Sequence, residues 1–416
     1  MKINFLLLKL LLIFEVSITF ISCTTFEEPK KDFLSVHDEV EWNYLLYMAA
    51  DNNLERFALR NIAELKSSLS TDRINVIVLF DRSPGYDKTA GNWTDTRLFR
   101  LSGSSSLDDD FIKSLGELDM TLPETLSMFL AIADEYFPAK RTILNIWSHA
   151  KGVYSDCTIP FKADVRSLIA DYTTSYSAQM SVKDFCDVLE KYVLKKEKKI
   201  EILQFDCCLM QMLEVLYELK DSVSYVAGSQ TELAGDGSNY KEIIDFIQNN
   251  PKADTAIIAT EIIKSFKEKY DTSVFSQSFS VADMNYINEF ILEFNIFLSQ
   301  IMKEISNAEL TELRTNVFSY SNTYIEYIDL YDFMTSISSK LENENNIDKL
   351  CIAFQKLIPQ NYSSNVYQDK LHGIGINIPY TTKLLSFYKN EKYNDFMKIY
   401  ADTNLSQFIS FLSSDH

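Results

Sequence analysis

Two short stretches hold the side chains with the most chemistry in them. In "TILNIWSHAKG" a histidine, His149, follows an apolar run. In "IEILQFDCCLM" an acid and two cysteines, Asp206, Cys207 and Cys208, follow another. A thiol attacks as the thiolate, and a nearby imidazole or a helix N-terminus favours that form. Both runs are unbroken apolar stretches, as expected of strands covered on two faces. In an open parallel sheet, sites form beyond the carboxyl ends of the strands. The pair therefore points to thiol chemistry assisted by a histidine. Adjacent side chains of an extended chain point to opposite faces, so only one of the two cysteines can face His149. Cys208 directly precedes "LMQMLEVLYELK", in which Leu209, Met212, Leu213, Leu216 and Leu219 fall at helical spacing. A helix starting there would present its positive end to Cys208. Zinc fits less well, because no C-x₂-C pair exists and vicinal cysteines cannot easily both join His149 on one tetrahedral ion. Taken one at a time, a packing cysteine and a structural histidine beside Trp147 are the ordinary readings.

The elements that must position these residues follow from periodicity. The segments 42–50, 74–80, 142–147 and 200–205 read as buried strands. They alternate with amphipathic helices over 53–69, 124–137 and 181–196, the last opening on Ser181 as a cap. Such alternation predicts an α/β fold with a mainly parallel sheet flanked by helices. The second half reads as more helical, with shorter strands within 273–284, in "EYIDL" and over 373–379. The expected organisation is a signal over 1–22, a tether over 23–40, a core over 41–250 and a C-terminal α/β region over 251–416 that completes the same unit.

Of the 416 residues, 46 % are hydrophobic and 24 % charged, which is the composition of a packed globular protein. A formal charge of −19 argues against nucleic acid or anionic membrane as a main partner and is compatible with basic peptides or cations as ligands. The N-terminus "MKINFLLLKLLLIFEVSITFISC" has the basic start, apolar middle and small residue of an export signal. Lys9 and Glu15 interrupt it, and a charge at the centre of a spanning helix costs about 2.5–3.5 kcal/mol. "FISC" resembles a bacterial lipoprotein cleavage box, with Phe20 where Leu is usual, so Cys23 is the expected lipidation site. The lipid would anchor the protein at the cell envelope, on the outer membrane or cell surface, with the polar stretch 24–40 as the tether. Cys157, Cys186, Cys207, Cys208 and Cys351 then remain, an odd set that leaves a thiol outside internal disulfides.

"WNYLLYMAADNNLE", the strand ending in His149, "FDCCLMQMLEVLYEL" and "GSQTELAGDGSNY" together resemble the clostripain family of cysteine peptidases. The resemblance is specific from about residue 42 to 240 and looser to about 380. It implies a caspase-like fold, with His149 and Cys208 as the catalytic pair. It places Asp206 in the pocket for an Arg or Lys side chain before the cut, and backbone N–H groups at Ala150 and Cys208 as the oxyanion site. Cys207 takes a place usually held by Ala. Family members are often zymogens that cut themselves between the His and Cys blocks, which here points to Lys162 or Arg166. No cofactor is required by the resemblance, although calcium activates some members; "LDDDF" (107–111) offers acids for it. A monomer acting on Arg- or Lys-containing peptides is expected. Ser148-His149-Ala150 stands where the family has Asn-His-Gly, and a glycine adopts positive φ that alanine resists. A second histidine, His372, precedes a glycine but follows no buried strand. The competing reading is a catalytically inactive surface lipoprotein that binds peptides or partners.

Overall fold

Unbroken apolar strands need cover on both faces, and the chain supplies it with helices between the strands of the parallel set. The computed structural model describes residues 35–70, 73–104, 106–153, 166–173, 178–320, 327–342, 344–379 and 397–412. The stretch 1–22 expected to be an export signal, Cys23, Cys157 and Lys162 lie outside the described residues. From His37 onward the described residues form one compact unit.

Its centre is a nine-stranded sheet. The strands in chain order are β1 (Val40–Ala50), β2 (Ile74–Arg82), β3 (Arg97–Arg100), β4 (Phe111–Ser114) and β5 (Ala139–Trp147). A hairpin of β6 (Arg166–Asp171) and β7 (Ala178–Ser181) stands apart from it. The sheet continues with β8 (Ile200–Asp206), β9 (Val223–Gly228), β10 (Ser278–Asp283) and, after the short β11 (Tyr327–Asp329), β12 (Gln360–Ser363). The order across the sheet is β12-β10-β9-β8-β5-β1-β2-β3-β4. The contiguous set β9, β8, β5, β1 and β2 is parallel, and the edges are antiparallel on both sides. Strands from beyond residue 250 thus join the same sheet. β11 pairs separately with β13 (Gly375–Asn377).

Helices α1 (Glu55–Ser68), α2 (Pro123–Tyr136), α3 (Val182–Lys196), α4 (Leu213–Leu219), α5 (Tyr240–Asn249) and α6 (Thr255–Tyr270) fill the two layers. Trp42, Tyr44, Leu46 and Met48 of β1 share one core with Ile62, Tyr240, Ile244 and Phe266 of α1, α5 and α6. The intervening β1 positions face the other layer, where Tyr47 meets Phe129 of α2 with ring centroids 6.0 Å apart. Alternate β1 side chains are therefore claimed by opposite layers, which is why this strand is apolar at nearly every position. Ser181 caps α3 as its sequence suggests, accepting from the Asp184 N–H. Among the described residues no helix is long and apolar enough to cross a membrane.

Candidate active site

The parallel register of β5 and β8 sets Trp147 opposite Asp206. His149 and Cys208 each follow two residues later, so both emerge from the same carboxyl edge of adjacent strands, which run about 4.8 Å apart. His149 Nε2 lies 2.7 Å from Asn53 Oδ1. Asn53 is held by its neighbour: the Asn52 amide donates to the Ala49 and Ala170 carbonyls, and its oxygen accepts from the Leu54 N–H. Burial, with help from Lys151, pulls the imidazole pKa below its ordinary value and keeps the ring neutral.

Cys208 is half-buried, and its Sγ accepts from the Leu233 N–H at 3.3 Å. Burial pushes the thiol pKa up, the Leu233 N–H opposes this, and Glu232 and Asp206 add to the rise. The imidazole is bonded to Asn53 and the thiol to Leu233, an arrangement common in sites without substrate, where catalytic hydrogen bonds are loose. Cys207 is fully buried and its thiol is driven well above the ordinary range by burial, so it is inert packing. Both cysteines are free thiols.

The expected helix at Cys208 is corrected. α4 begins only at Leu213, with Met212 at its N-cap, so this helix does not start at the thiol. Leu209 has a φ of 62°, a left-handed conformation that stops any helix from starting at the cysteine. The segment then runs alongside neighbouring chain: Leu209 and Gln211 donate to the Thr231 and Ser229 carbonyls, and Met212 bridges to Gly375. Ile169 has a φ of 61°, and its N–H donates to the His149 carbonyl at 3.1 Å. A bulky residue in this region costs about 1–3 kcal/mol. Strain is therefore stored beside both members of the pair.

Ala150 does not adopt positive φ; that conformation falls on Gly152, at 76°. Ala150 instead forms an antiparallel bridge with Leu168. Alanine in place of glycine thus imposes no backbone strain here. Among the described residues none accepts the N–H of Ala150 or of Cys208, which leaves both donors available.

Asp206 is buried. Its Oδ2 accepts from the Ser238 N–H at 3.0 Å and from the Tyr240 hydroxyl, while Oδ1 has no partner among the described residues. Burial raises its pKa despite these bonds. Gly237 packs on this carboxylate at a φ of 60°, and a Cβ there would lie 2.8 Å from Oδ2. Gly237→Ala is expected to lower stability by more than about 1 kcal/mol, read as a lower urea midpoint, because alanine is disfavoured at this φ and has no room. An unchanged midpoint would show that the loop moves freely off Asp206. The same loop borders an open cleft of about 870 Å³ lined by Glu64, Glu232, Leu233, Asp236, Tyr270 and Phe275 among others. Asp236 pairs with Arg60 at 2.9 Å, and Glu64 with Lys269 at 3.1 Å. Leu233 touches both the thiol and the cleft. Asp206 is not in the lining; it anchors the loop that forms one wall.

Arg166 opens β6, opposite Ser181, and Lys162 precedes it outside the described residues. His372 is ion-paired, with Nδ1 2.9 Å from Asp329 Oδ1. Burial lowers its pKa, but Asp329 outweighs this and raises it overall. Within "LDDDF", Asp110 is committed to Lys66 and to the Ser102 N–H. Among the described residues, the metal-capable group is instead Asp51, Asp81 and Glu117. Asn53, Glu232, Leu233 and Asp236 were not singled out from sequence. "ADNNLE" and "TELAGDGS" carried them, but only as parts of longer blocks.

The sequence matches the profile of the clostripain family over residues 46–411. Clostripain from Hathewaya histolytica is 25 % identical over 407 residues, covering 83 % of this chain and 76 % of that one. Among solved structures, a secreted C11 cysteine protease from Bacteroides thetaiotaomicron in complex with an irreversible peptide inhibitor is 18 % identical, with a TM-score of 0.67. The match covers 87 % of this chain and 98 % of that one. An inactive zymogen C11 protease from Parabacteroides distasonis is 20 % identical, with a TM-score of 0.66, over 88 % of this chain and 99 % of that one.

Proposed function

The chain belongs to the clostripain family of cysteine peptidases, and on that premise we propose that it is an endopeptidase cutting after Arg or Lys through Cys208 and His149. The observation that carries this is the shared carboxyl edge of β5 and β8, where the two side chains emerge in register beside an open cleft. The Asn53 oxygen favours the Nε2–H tautomer of His149, leaving Nδ1 as the base. Nδ1 takes the Cys208 proton as Sγ attacks the scissile carbonyl carbon. The N–H groups of Ala150 and Cys208 hold the resulting oxyanion. Collapse breaks the C–N bond, and His149 returns its proton to the leaving amine. Water, deprotonated by the same nitrogen, then hydrolyses the thioester and restores the thiol. Glu232 on the cleft wall is a carboxylate that an Arg or Lys side chain would pair with, and Asp236, now on Arg60, would join it where the substrate cation displaces that exposed partner; Asp206 holds the loop that carries them.

We further propose export, lipidation at Cys23, attachment at the cell envelope and self-processing at Lys162 or Arg166. These rest on the sequence patterns around those residues. Self-processing requires that Cys208→Ala protein stay uncut, and an anchor at Cys23 requires that palmitate-analogue label vanish in Cys23→Ser.

The test of the peptidase reading is mass spectrometry after labelling with a peptidyl-Arg or peptidyl-Lys electrophile. Adduct is expected on Cys208; adduct on Cys207, or on neither, sinks the assignment. The inactive, peptide-binding alternative draws support from the imidazole's bond to Asn53 rather than to the thiol. It requires no turnover of Arg or Lys peptides under reducing conditions.

The pH profile is a second check. The neutral imidazole is the active form, and its pKa lies below the ordinary 6.5. The acid limb of kcat/KM should therefore fall below pH 6.5, with activity lost as His149 protonates. An acid limb centred well above that value would mean that His149 is not the base.

A further inference from the structure

The open cleft beside the thiol carries large apolar side chains as well as carboxylates. Val274 and Phe275, just ahead of β10, are 88 % and 66 % exposed, and Val366, just after β12, is 62 % exposed. One exposed apolar side chain is ordinary, but several brought together at a cleft mark a binding surface. Phe275 and Val366 both line this cleft, as does Leu233, and Val274 is the chain neighbour of Phe275.

Hydrogen bonds fasten the two apolar loops to each other. The Asn365 amide donates to the Ser273 carbonyl at 3.0 Å and to the Phe275 carbonyl at 3.3 Å. The Ser364 N–H donates to the Gln277 carbonyl, and the Gln277 N–H to the Ser364 hydroxyl, both at 3.0 Å. Gln277 also reaches the wall of the cleft, where its Oε1 accepts from the Ala234 N–H at 3.0 Å. The preceding Leu233 N–H donates to Cys208 Sγ. A continuous run of bonds therefore joins the thiol, the 232–236 loop and the apolar surface. Loops already tied in this way give up little freedom when a ligand covers them.

Whatever covers this surface must also meet the carboxylates of the same cleft. Glu232 and Asp236 suit a basic side chain, which on the peptidase reading is the one before the cut. Successive side chains of an extended peptide point to opposite faces, and those two residues apart share a face about 6.6–6.8 Å from each other. A peptide lying extended with its basic side chain in the cleft thus turns the side chain two residues earlier to the same side. We propose that Phe275 and Val366, with Val274 beside them, form a second substrate subsite that takes a large apolar side chain two residues before the basic one. Only the identity of the occupant as a substrate peptide rests on the peptidase reading.

The test separates binding from turnover by using the full chain carrying Cys208→Ala. Fluorescein-labelled hexapeptides of Gly and Ser with a single Arg are titrated and read by anisotropy. Leu is placed in turn one, two or three residues before the Arg, or two after it. Leu two residues before the Arg should tighten Kd by about tenfold relative to Ser at that place, as partial burial of its side chain implies. Adding Phe275→Ser and Val366→Ser should cut that gain to less than about threefold and leave the Leu-free peptide within about twofold. Both side chains are exposed, so these changes leave the core intact. Glu232→Gln should instead weaken the Leu and Ser peptides alike. Equal affinity for the two peptides, no binding of either, or a gain undiminished by the two Ser substitutions overturns the subsite. A gain confined to the residue next to the Arg, or to those after it, overturns its placement. If the parent chain cuts no Arg or Lys peptide while the Cys208→Ala chain keeps the Leu preference, the peptidase reading falls and the subsite stands.

Discussion

Cys208→Ala protein is expected to lose about 10⁵-fold or more of its peptidase rate on Arg or Lys substrates, as when the nucleophile of a catalytic unit is removed. The size follows from the chemistry. Without Sγ no acyl-enzyme forms, and what remains is binding plus the Ala150 and Cys208 backbone donors acting on uncatalysed attack by water. His149→Ala should fall by a comparable factor, and the double variant little further, because the two side chains act as one unit. The control is Cys207→Ala. That thiol is buried and points away from solvent, so its loss should leave kcat within severalfold of the parent. A loss at Cys207→Ala equal to that at Cys208→Ala would mean that the choice between the two cysteines is wrong. Residual turnover in the Cys208 variant within about a hundredfold of the parent would remove covalent catalysis from the account.

The site was legible in sequence to the extent that its parts were local. His149 and Cys208 each follow a strand covered on two faces, and such strands announce themselves as unbroken apolar runs. β3 and β4 were missed because four residues at a sheet edge are too few for a two-residue period to show. The stretch after Cys208 misled for a different reason. Leu209 and Met212 are buried at helical spacing, yet they are buried by neighbouring loops and by β13 rather than along a helix, and spacing alone does not distinguish the two. What decides is the left-handed Leu209, a tertiary constraint invisible in residue type. Asn53 was beyond reach because its partner is 96 residues away. The carboxylates at 51, 81 and 117 were scattered for the same reason: a sheet gathers them, and no local pattern does. The exposed run "LDDDF" drew attention instead, although its buried member is already neutralised by Lys66.

Arg82→Met is expected to cost about 3–5 kcal/mol of stability, as removal of one partner of a buried ion pair does. Arg82 is wholly buried, and its Nε donates to Glu55 Oε1 at 2.7 Å. Its terminal nitrogens donate to the carbonyls of Asp87, Thr89 and Ala90, and its guanidinium lies over Trp93 at 4.7 Å. Glu55 Oε2 closes the arrangement by accepting from the Asp87 N–H at 2.8 Å. One side chain therefore fastens the start of α1 and the whole 83–93 loop to the end of β2. Methionine would fill part of the volume but leave Glu55 buried and those carbonyls without donors. Urea unfolding should show the full loss in the midpoint, and the double variant Arg82→Met with Glu55→Gln should recover part of it, since the stranded charge is gone. A loss below about 1 kcal/mol would place the pair among those that merely break even against desolvation.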